Sequence, residues 1–148
     1  MATNLSRRIY TAVATIQGGR LGHGWTSDGV LDLDLRLPVP LGGKGGGANP
    51  EQLFALGYGA CFQSAVAEAG RRLGVDASQS RITSRVAFGL TDPRTYSLAV
   101  ELEVAIPALN RETAERVVQA AHEMCPYSNA TRGNIEVSLV VANTSVLR

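Results

Sequence analysis

The chain has 148 residues, with 14 basic and 13 acidic side chains. This near-neutral balance lacks the charge excess of proteins that bind nucleic acid or anionic membranes. No apolar run approaches the roughly 20 residues of a membrane span, and residues 1–10 lack the apolar segment of a signal peptide. The sequence therefore predicts one cytoplasmic domain over residues 1–148, long enough to bury a substantial core.

The first third of the chain is predicted to form three strands. Residues 8–17 are rich in β-branched side chains, and two glycines then mark a turn. Arg20 follows that turn and opens a second, weaker strand that runs to Trp25. Residues 30–37 are predicted to form a third strand, because leucines at 31, 33, 35 and 37 share one face and the charged residues 32, 34 and 36 share the other.

The longest helical pattern covers residues 49–73, with Asn49 as its predicted N-cap. Apolar residues recur nearly all round it, as in a helix buried on most faces. Cys61 lies near its middle, and Gly57 and Gly59 precede it by one turn. Each interior glycine costs about 1 kcal/mol relative to alanine. The glycines indicate close approach of another backbone or a substrate, or helix–helix packing without chemistry.

In the second half of the chain, predicted strands and helices do not alternate regularly as they do in a β-α-β protein. Its predicted elements are strands 81–90 and 97–106, a helix over 111–124 that Asn110 caps, and a strand over 135–141. Because β-α-β alternation is absent, we predict an α+β fold rather than a doubly wound parallel sheet.

The two cysteines, Cys61 and Cys125, leave two interpretations open. A pairing in a cytoplasmic chain would be transient and catalytic; otherwise both are separate buried thiols acting as small hydrophobes. Only a thiolate is reactive, and Cys61 lies about twelve residues into its helix, beyond the reach of the helix dipole. Activation requires a cation, and arginine suits because its planar fork holds a thiolate and a carboxylate together. The residues alone do not identify which of the 13 arginines acts.

Two long motifs each contain one cysteine: N-P-E-Q-L-F-A-L-G-Y-G-A-C-F at residues 49–62 and C-P-Y-S-N-A-T-R-G-N at residues 125–134. Both closely resemble the organic hydroperoxide resistance (Ohr) proteins of the OsmC-like superfamily. The resemblance extends to Y-T-A-V-A-T-I-Q-G-G-R at residues 10–20, S-D-G-V-L-D at 27–32 and L-G-G-x-G-G at 41–46. It implies an OsmC-like α+β fold, with antiparallel sheets wrapped around a long central helix in an intertwined homodimer.

The resemblance also implies a thiol-dependent peroxidase acting on alkyl or fatty-acid hydroperoxides. Cys61 matches the peroxidatic cysteine, Cys125 the resolving cysteine, Arg20 the arginine that holds the thiolate, and Glu51 its carboxylate partner. Oxidation of Cys61 would give a sulfenic acid, which Cys125 would convert to a disulfide. The family suggests an external dithiol, carried by a lipoyl-bearing protein, as the reductant.

Several simpler interpretations stand beside these assignments. Arg20 is also explained as a solvated arginine in a hairpin. Glu51 is also explained as an acid in the first turn of the helix, where it complements the helix dipole. No metal or flavin is expected, since His23 and His122 belong to no ligand-spaced cluster. A hot-dog protein that binds lipids or acyl thioesters would share the long apolar helix and use neither cysteine.

The spacing of Glu51 and Cys61 raises a question about quaternary structure. Ten residues of straight helix separate the two groups by about 15 Å, too far for one guanidinium to hold both. Either the helix breaks at Gly57–Gly59, or Glu51 comes from a second subunit. We favour the second subunit, because the resemblance implies a dimer and glycines permit close approach.

Overall fold

The computed structural model describes residues 2–142, which form α-helices and strands in the α+β order that the sequence predicts. In chain order the elements are β1 (Ala14–Gln17), β2 (His23–Thr26), β3 (Asp32–Asp34), α1 (Pro50–Arg72), β4 (Arg81–Asp92), β5 (Thr95–Ala105), α2 (Arg111–Met124), α3 (Pro126–Thr131) and β6 (Val137–Val141). Two units can be distinguished, Met1–Pro50 and Glu51–Arg148. The single domain over residues 1–148 stays a prediction. None of the helices within residues 2–142 has both the length and the apolar character needed to cross a bilayer.

The first unit contains an antiparallel sheet in the order β1-β2-β3. Its strands are shorter than predicted, because residues 8–13 are not strand and β3 has three residues. The pairing of β3 with β2 ends near Arg36, whose N–H bonds to the carbonyl of Ala48 rather than to β2. Leu35 keeps its predicted inward direction and is buried. The alternating pattern thus predicted which face is buried but overestimated the length of the strand.

The second unit contains a sheet in the order β4-β5-β6. β4 and β5 form a long antiparallel hairpin, and the turn residues 93–94 lie within the predicted turn. β6 pairs with β5 in parallel, so this sheet is mixed rather than wholly antiparallel as expected. Parallel neighbours require a crossover connection, and α2 and α3 supply it here.

The core of the second unit forms where α1 and α2 contribute apolar side chains to the same cluster as the sheet. α1 is continuous over 23 residues. Its fully buried side chains include Tyr58, Phe62 and Val66, and they belong to one cluster with Leu102, Val104, Val117 and Cys125. The core of this unit therefore surrounds the region where both cysteines lie.

The predicted bounds of α2 agree with the structure. The side-chain oxygen of Asn110 accepts a hydrogen bond from the N–H of Thr113 at 2.9 Å, which confirms the N-cap. The predicted apolar stripe is also buried, namely Ala114, Val117, Val118 and Ala121. Local capping chemistry and helical periodicity were sufficient to define this helix.

Gly57 and Gly59 of α1 have different neighbours. A Cβ atom on Gly57 would lie 2.7 Å from the hydroxyl oxygen of Tyr127, whereas one on Gly59 would meet the Cβ of Ser84 at an ordinary 3.5 Å. Gly57 is therefore the place where the ring of Tyr127, on α3, packs against α1. Of the explanations open from sequence, packing within the chain accounts for Gly57.

Gly59→Ala is expected to raise the free energy of unfolding by about 0.5–1 kcal/mol, because helical alanine is favoured over glycine. Gly57→Ala should show no such gain, because its methyl group would displace the Tyr127 ring. Urea unfolding of both variants measures the contrast. A destabilised Gly59→Ala protein would contradict the ordinary contact assigned to that position.

Candidate active site

Contacts between α1 and α3 bring the two cysteines together. The sulfur atoms of Cys61 and Cys125 are 3.7 Å apart, and both side chains are free thiols. Cys125 is buried and Cys61 is half-buried, so Cys61 is the more accessible of the two. A disulfide bond is about 2.0 Å long, so a shift of under about 2 Å would join them. The pair is placed for reversible disulfide chemistry.

Cys125 stands between two helices, and this position directs a main-chain donor at Cys61. The N–H of Cys125 makes the last bond of α2, and Pro126 is the first residue of α3. Because proline has no N–H, the N–H of Tyr127 is the first unbonded donor of α3. That N–H bonds to the sulfur of Cys61. Sequence reasoning missed this contact; the proline that follows Cys125 was its one local signal.

The surroundings of Cys61 favour the protonated thiol. Burial is the largest influence and raises the pKa of Cys61 above its ordinary value. The Tyr127 N–H lowers the pKa by stabilising the thiolate, and the neighbouring Cys125 raises it again. Cys61 is therefore mostly protonated at neutral pH, and a reactive thiolate requires a cation beside it.

Arg20 lies at the centre of a single 3-10 turn, Gly19–Leu21, where the sequence predicted the start of a strand. The glycines before it have positive φ angles, 82° at Gly18 and 58° at Gly19, which favour glycine over other residues. A Cβ atom on Gly22 would overlap the carbonyl group of Gln17. The turn is tight for this reason, and it presents Arg20 half-buried.

Arg36 fixes the end of this turn. Its guanidinium donates to the carbonyl oxygens of Gly22 at 2.9 Å and Leu35 at 2.7 Å. It also forms an ion pair with Asp34 at 3.7 Å. Arg20 belongs to the first unit, whereas both cysteines belong to the second. Its action on Cys61 therefore stays a prediction.

Glu51 lies half-buried in the first turn of α1, ten residues before Cys61. α1 continues through Gly57 and Gly59 without interruption, so the broken-helix explanation is wrong. The two groups are therefore separated by about 15 Å along one helix. The origin of Glu51 from a second subunit stays a prediction.

The histidines make hydrogen bonds to protein side chains. The ring nitrogens of His23 lie 2.6 Å from Asp32 and 2.9 Å from Asp34, and these carboxylates raise the pKa of His23. His122 lies 2.9 Å from the hydroxyl oxygen of Ser128. Within residues 2–142, no three His, Cys, Asp or Glu side chains are arranged to hold a metal ion.

An apolar cavity of about 570 Å³ opens beside α3. Its apolar lining residues come from α1, β5, α3 and the segment before β6: Phe54, Leu98, Pro126, Tyr127, Ala130 and Ile135. Pro126 and Tyr127 directly follow Cys125 in the chain. The cavity can therefore accept an alkyl group beside α3, although neither cysteine is among its lining residues.

Comparison with known proteins gives consistent matches along the chain. The family model described as OsmC-like protein matches residues 43–140. An organic hydroperoxide resistance protein of Xanthomonas axonopodis pv. citri (strain 306) is 47% identical over 137 residues, covering 90% of this chain and 95% of that protein. Organic hydroperoxide resistance protein OhrB of Bacillus subtilis (strain 168) is 42% identical over 132 residues, covering 88% and 96%. A crystal structure of an organic hydroperoxide resistance protein OsmC from Legionella pneumophila has a TM-score of 0.87 at 46% identity, covering 93% and 100%.

Proposed function

The chain belongs to the OsmC-like family, and on this premise we propose that it is a thiol-dependent peroxidase that reduces organic hydroperoxides to alcohols. The separation of 3.7 Å between the sulfur atoms of Cys61 and Cys125 carries the proposal. Relatives named for organic hydroperoxide resistance support the substrate class. They do not favour the hot-dog alternative, which needs neither cysteine.

The reaction proceeds in two steps on sulfur. The Cys61 thiolate attacks the outer oxygen of ROOH; the O–O bond breaks, and the alkoxide takes up a proton and leaves as ROH. Cys61 is then a sulfenic acid, oxidised by two electrons. The Cys125 thiol attacks that sulfur, the S–O bond breaks, and a disulfide and one water molecule form. This second step protects Cys61 from further, irreversible oxidation.

The return to the reduced state requires a dithiol from outside the protein. Thiol–disulfide exchange transfers two electrons from the dithiol to the Cys61–Cys125 disulfide through a mixed disulfide. We propose a lipoyl-bearing protein as the source of this dithiol, and no resident cofactor or metal takes part.

The apolar cavity supports organic hydroperoxides over hydrogen peroxide as substrates. We propose that its lining buries the alkyl group of the substrate while the peroxide reaches Cys61; such burial contributes about 25 cal/mol per Å² of apolar surface. Hydrogen peroxide has no apolar part and gains nothing from the cavity.

A direct test compares cumene hydroperoxide with hydrogen peroxide, using dihydrolipoamide as the reductant. We expect kcat/KM to be higher for cumene hydroperoxide by about tenfold or more, because the aromatic group is buried on binding. Absence of dithiol-dependent consumption of either peroxide would refute the function.

Arg20 and Glu51 complete the proposed site, with Glu51 supplied by a partner subunit. Arg20 holds the Cys61 thiolate, and the Glu51 carboxylate orients the guanidinium. The exposed side of α1 supports a second subunit at this helix, since Leu53 and Leu56, one turn apart, are 37% and 72% exposed in the single chain. A homodimer would cover this surface.

Mixing an inactive variant with a weakly active one tests the origin of Glu51. Cys61→Ser and Glu51→Ala chains are combined under conditions that exchange subunits, and peroxide consumption is measured. If Glu51 acts across the interface, each heterodimer contains one intact site, and activity should rise clearly above that of either parent. Heterodimers confirmed by mass without such a rise would place both groups in the site of one chain.

A further inference from the structure

A network of buried polar side chains lies behind the cysteine pair. Tyr58 precedes Cys61 by one helical turn, and its hydroxyl is 2.9 Å from the Ser128 oxygen and 3.1 Å from the Thr131 oxygen. Ser128 is also 2.9 Å from Nδ1 of His122. Tyr58, Ser128 and Thr131 are buried. We call these four residues the Tyr58 network; they connect α1, α2 and α3.

One arrangement of hydrogen bonds gives each hydroxyl group of the network an acceptor for its proton. Burial and the charge of Arg132 lower the pKa of His122, which favours the neutral ring. In the tautomer with its proton on Nε2, Nδ1 accepts a hydrogen bond. Ser128 then donates to His122, and Tyr58 donates to Ser128. The Thr131 hydroxyl donates to the main-chain carbonyl of Ser128 at 3.2 Å. Each of the three hydroxyl protons then has an acceptor, which favours one arrangement of the network.

The network fastens the short helix that directly follows Cys125. α3 has six residues, and a helix of this length has little stability of its own. Arg132 holds its far end by donating to the main-chain carbonyl of His122 and to Asn129 at 2.7 Å. Tyr58 connects α3 to α1, which carries Cys61. The distance between the two sulfur atoms therefore depends on this attachment.

We propose that Tyr58 and Ser128 are positioning residues for the resolving step: they hold α3 so that Cys125 stays within reach of oxidised Cys61. The inference rests on the proposed peroxidase function. The hydroxyl groups of both residues bond to other side chains and not to either sulfur atom. Both residues therefore act through the placement of α3. Attack of Cys61 on the peroxide needs no movement of Cys125, whereas disulfide formation requires Cys125 at bonding distance.

The test separates the two steps in a single turnover. Reduced protein is mixed with one equivalent of cumene hydroperoxide and no reductant, and the sulfenic acid is trapped with dimedone while disulfide is followed by mass. Tyr58→Phe and Ser128→Ala each remove one hydroxyl from the network. Tyr96→Phe is the matched control, because the side chain of Tyr96 is 67% exposed and lies outside the network.

We expect Tyr58→Phe and Ser128→Ala to react with peroxide within about threefold of the wild-type rate but to form disulfide about tenfold or more slowly. Trapped sulfenic acid should accumulate in both variants and not in Tyr96→Phe. A variant that is merely less stable lowers the active fraction but leaves the partition between sulfenic acid and disulfide unchanged.

Disulfide formation at the wild-type rate in both variants would overturn the proposal. So would a slow first step with an unchanged partition. If wild-type Cys61 itself fails to react with the peroxide, the proposed function fails instead, and the two failures are therefore distinguishable. Should Ser128→Ala not fold, the nearly isosteric Tyr58→Phe carries the test.

Discussion

Cys61→Ser is expected to abolish hydroperoxide consumption, whereas Cys125→Ser should consume about one equivalent of peroxide per chain and then stall. The reason is the division of roles between the two sulfur atoms, which lie 3.7 Å apart. Without Cys61 no nucleophile faces the peroxide. Without Cys125 the sulfenic acid forms but finds no thiol, so excess peroxide converts it to sulfinic acid. Peroxide consumed per chain and the mass of the product measure both outcomes.

Ala108→Ser provides a control for the introduction of a serine, since residue 108 is exposed and lies outside α1 and both cysteine motifs. It should retain full turnover. Loss of even the first equivalent in Cys125→Ser would show that Cys125 has more than a resolving role. Full turnover in Cys61→Ser would remove the peroxidase mechanism altogether.

Arg20→Ala is expected to raise the pKa of Cys61 and to slow its reaction with peroxide at pH 7 by about tenfold or more. Burial already raises the pKa of this thiol, so loss of a stabilising cation leaves a smaller thiolate fraction. The rate difference should shrink as the pH rises, because alkaline solution ionises the thiol in both proteins. Arg20→Lys should restore part of the rate, since an ammonium group supplies charge but not the planar fork.

Stopped-flow rates and thiol titration across pH measure both effects. Arg71→Ala is the control, because Arg71 is exposed and paired with Glu68 at 2.7 Å on the same helix. It should leave the Cys61 titration unchanged. If the titration is equally unchanged in Arg20→Ala, Arg20 has no part in activating the thiol.

Local chemistry was sufficient to predict several elements. The bounds of α2 follow from the Asn110 cap and from a proline after the last turn, both of which act within a few residues. The α+β class likewise follows from the order of strand and helix patterns. These features depend on neighbours in the chain, which a sequence displays directly.

Strand lengths and sheet direction depend on partners that are distant in the chain. β3 ends because Arg36 bonds to Ala48, and nothing in the alternating residues 30–37 indicates that partner. β6 lies parallel to β5 because α2 and α3 return the chain to the same end of the sheet. The pattern of residues 135–141 predicts a strand but contains no information about its direction.

The cysteines show the same division. Sequence motifs predicted Cys61 and Cys125 as the reactive pair, because residue type and motif context are properties of the sequence. Their approach to 3.7 Å across 64 residues comes from the packing of three helices. The Tyr127 main-chain donor and the Tyr58 network likewise exist only when α3 is folded against α1. Sequence determined the chemistry available to this protein, and tertiary structure decided which groups meet, because hydrogen bonds and bond-forming steps require contact within a few ångströms.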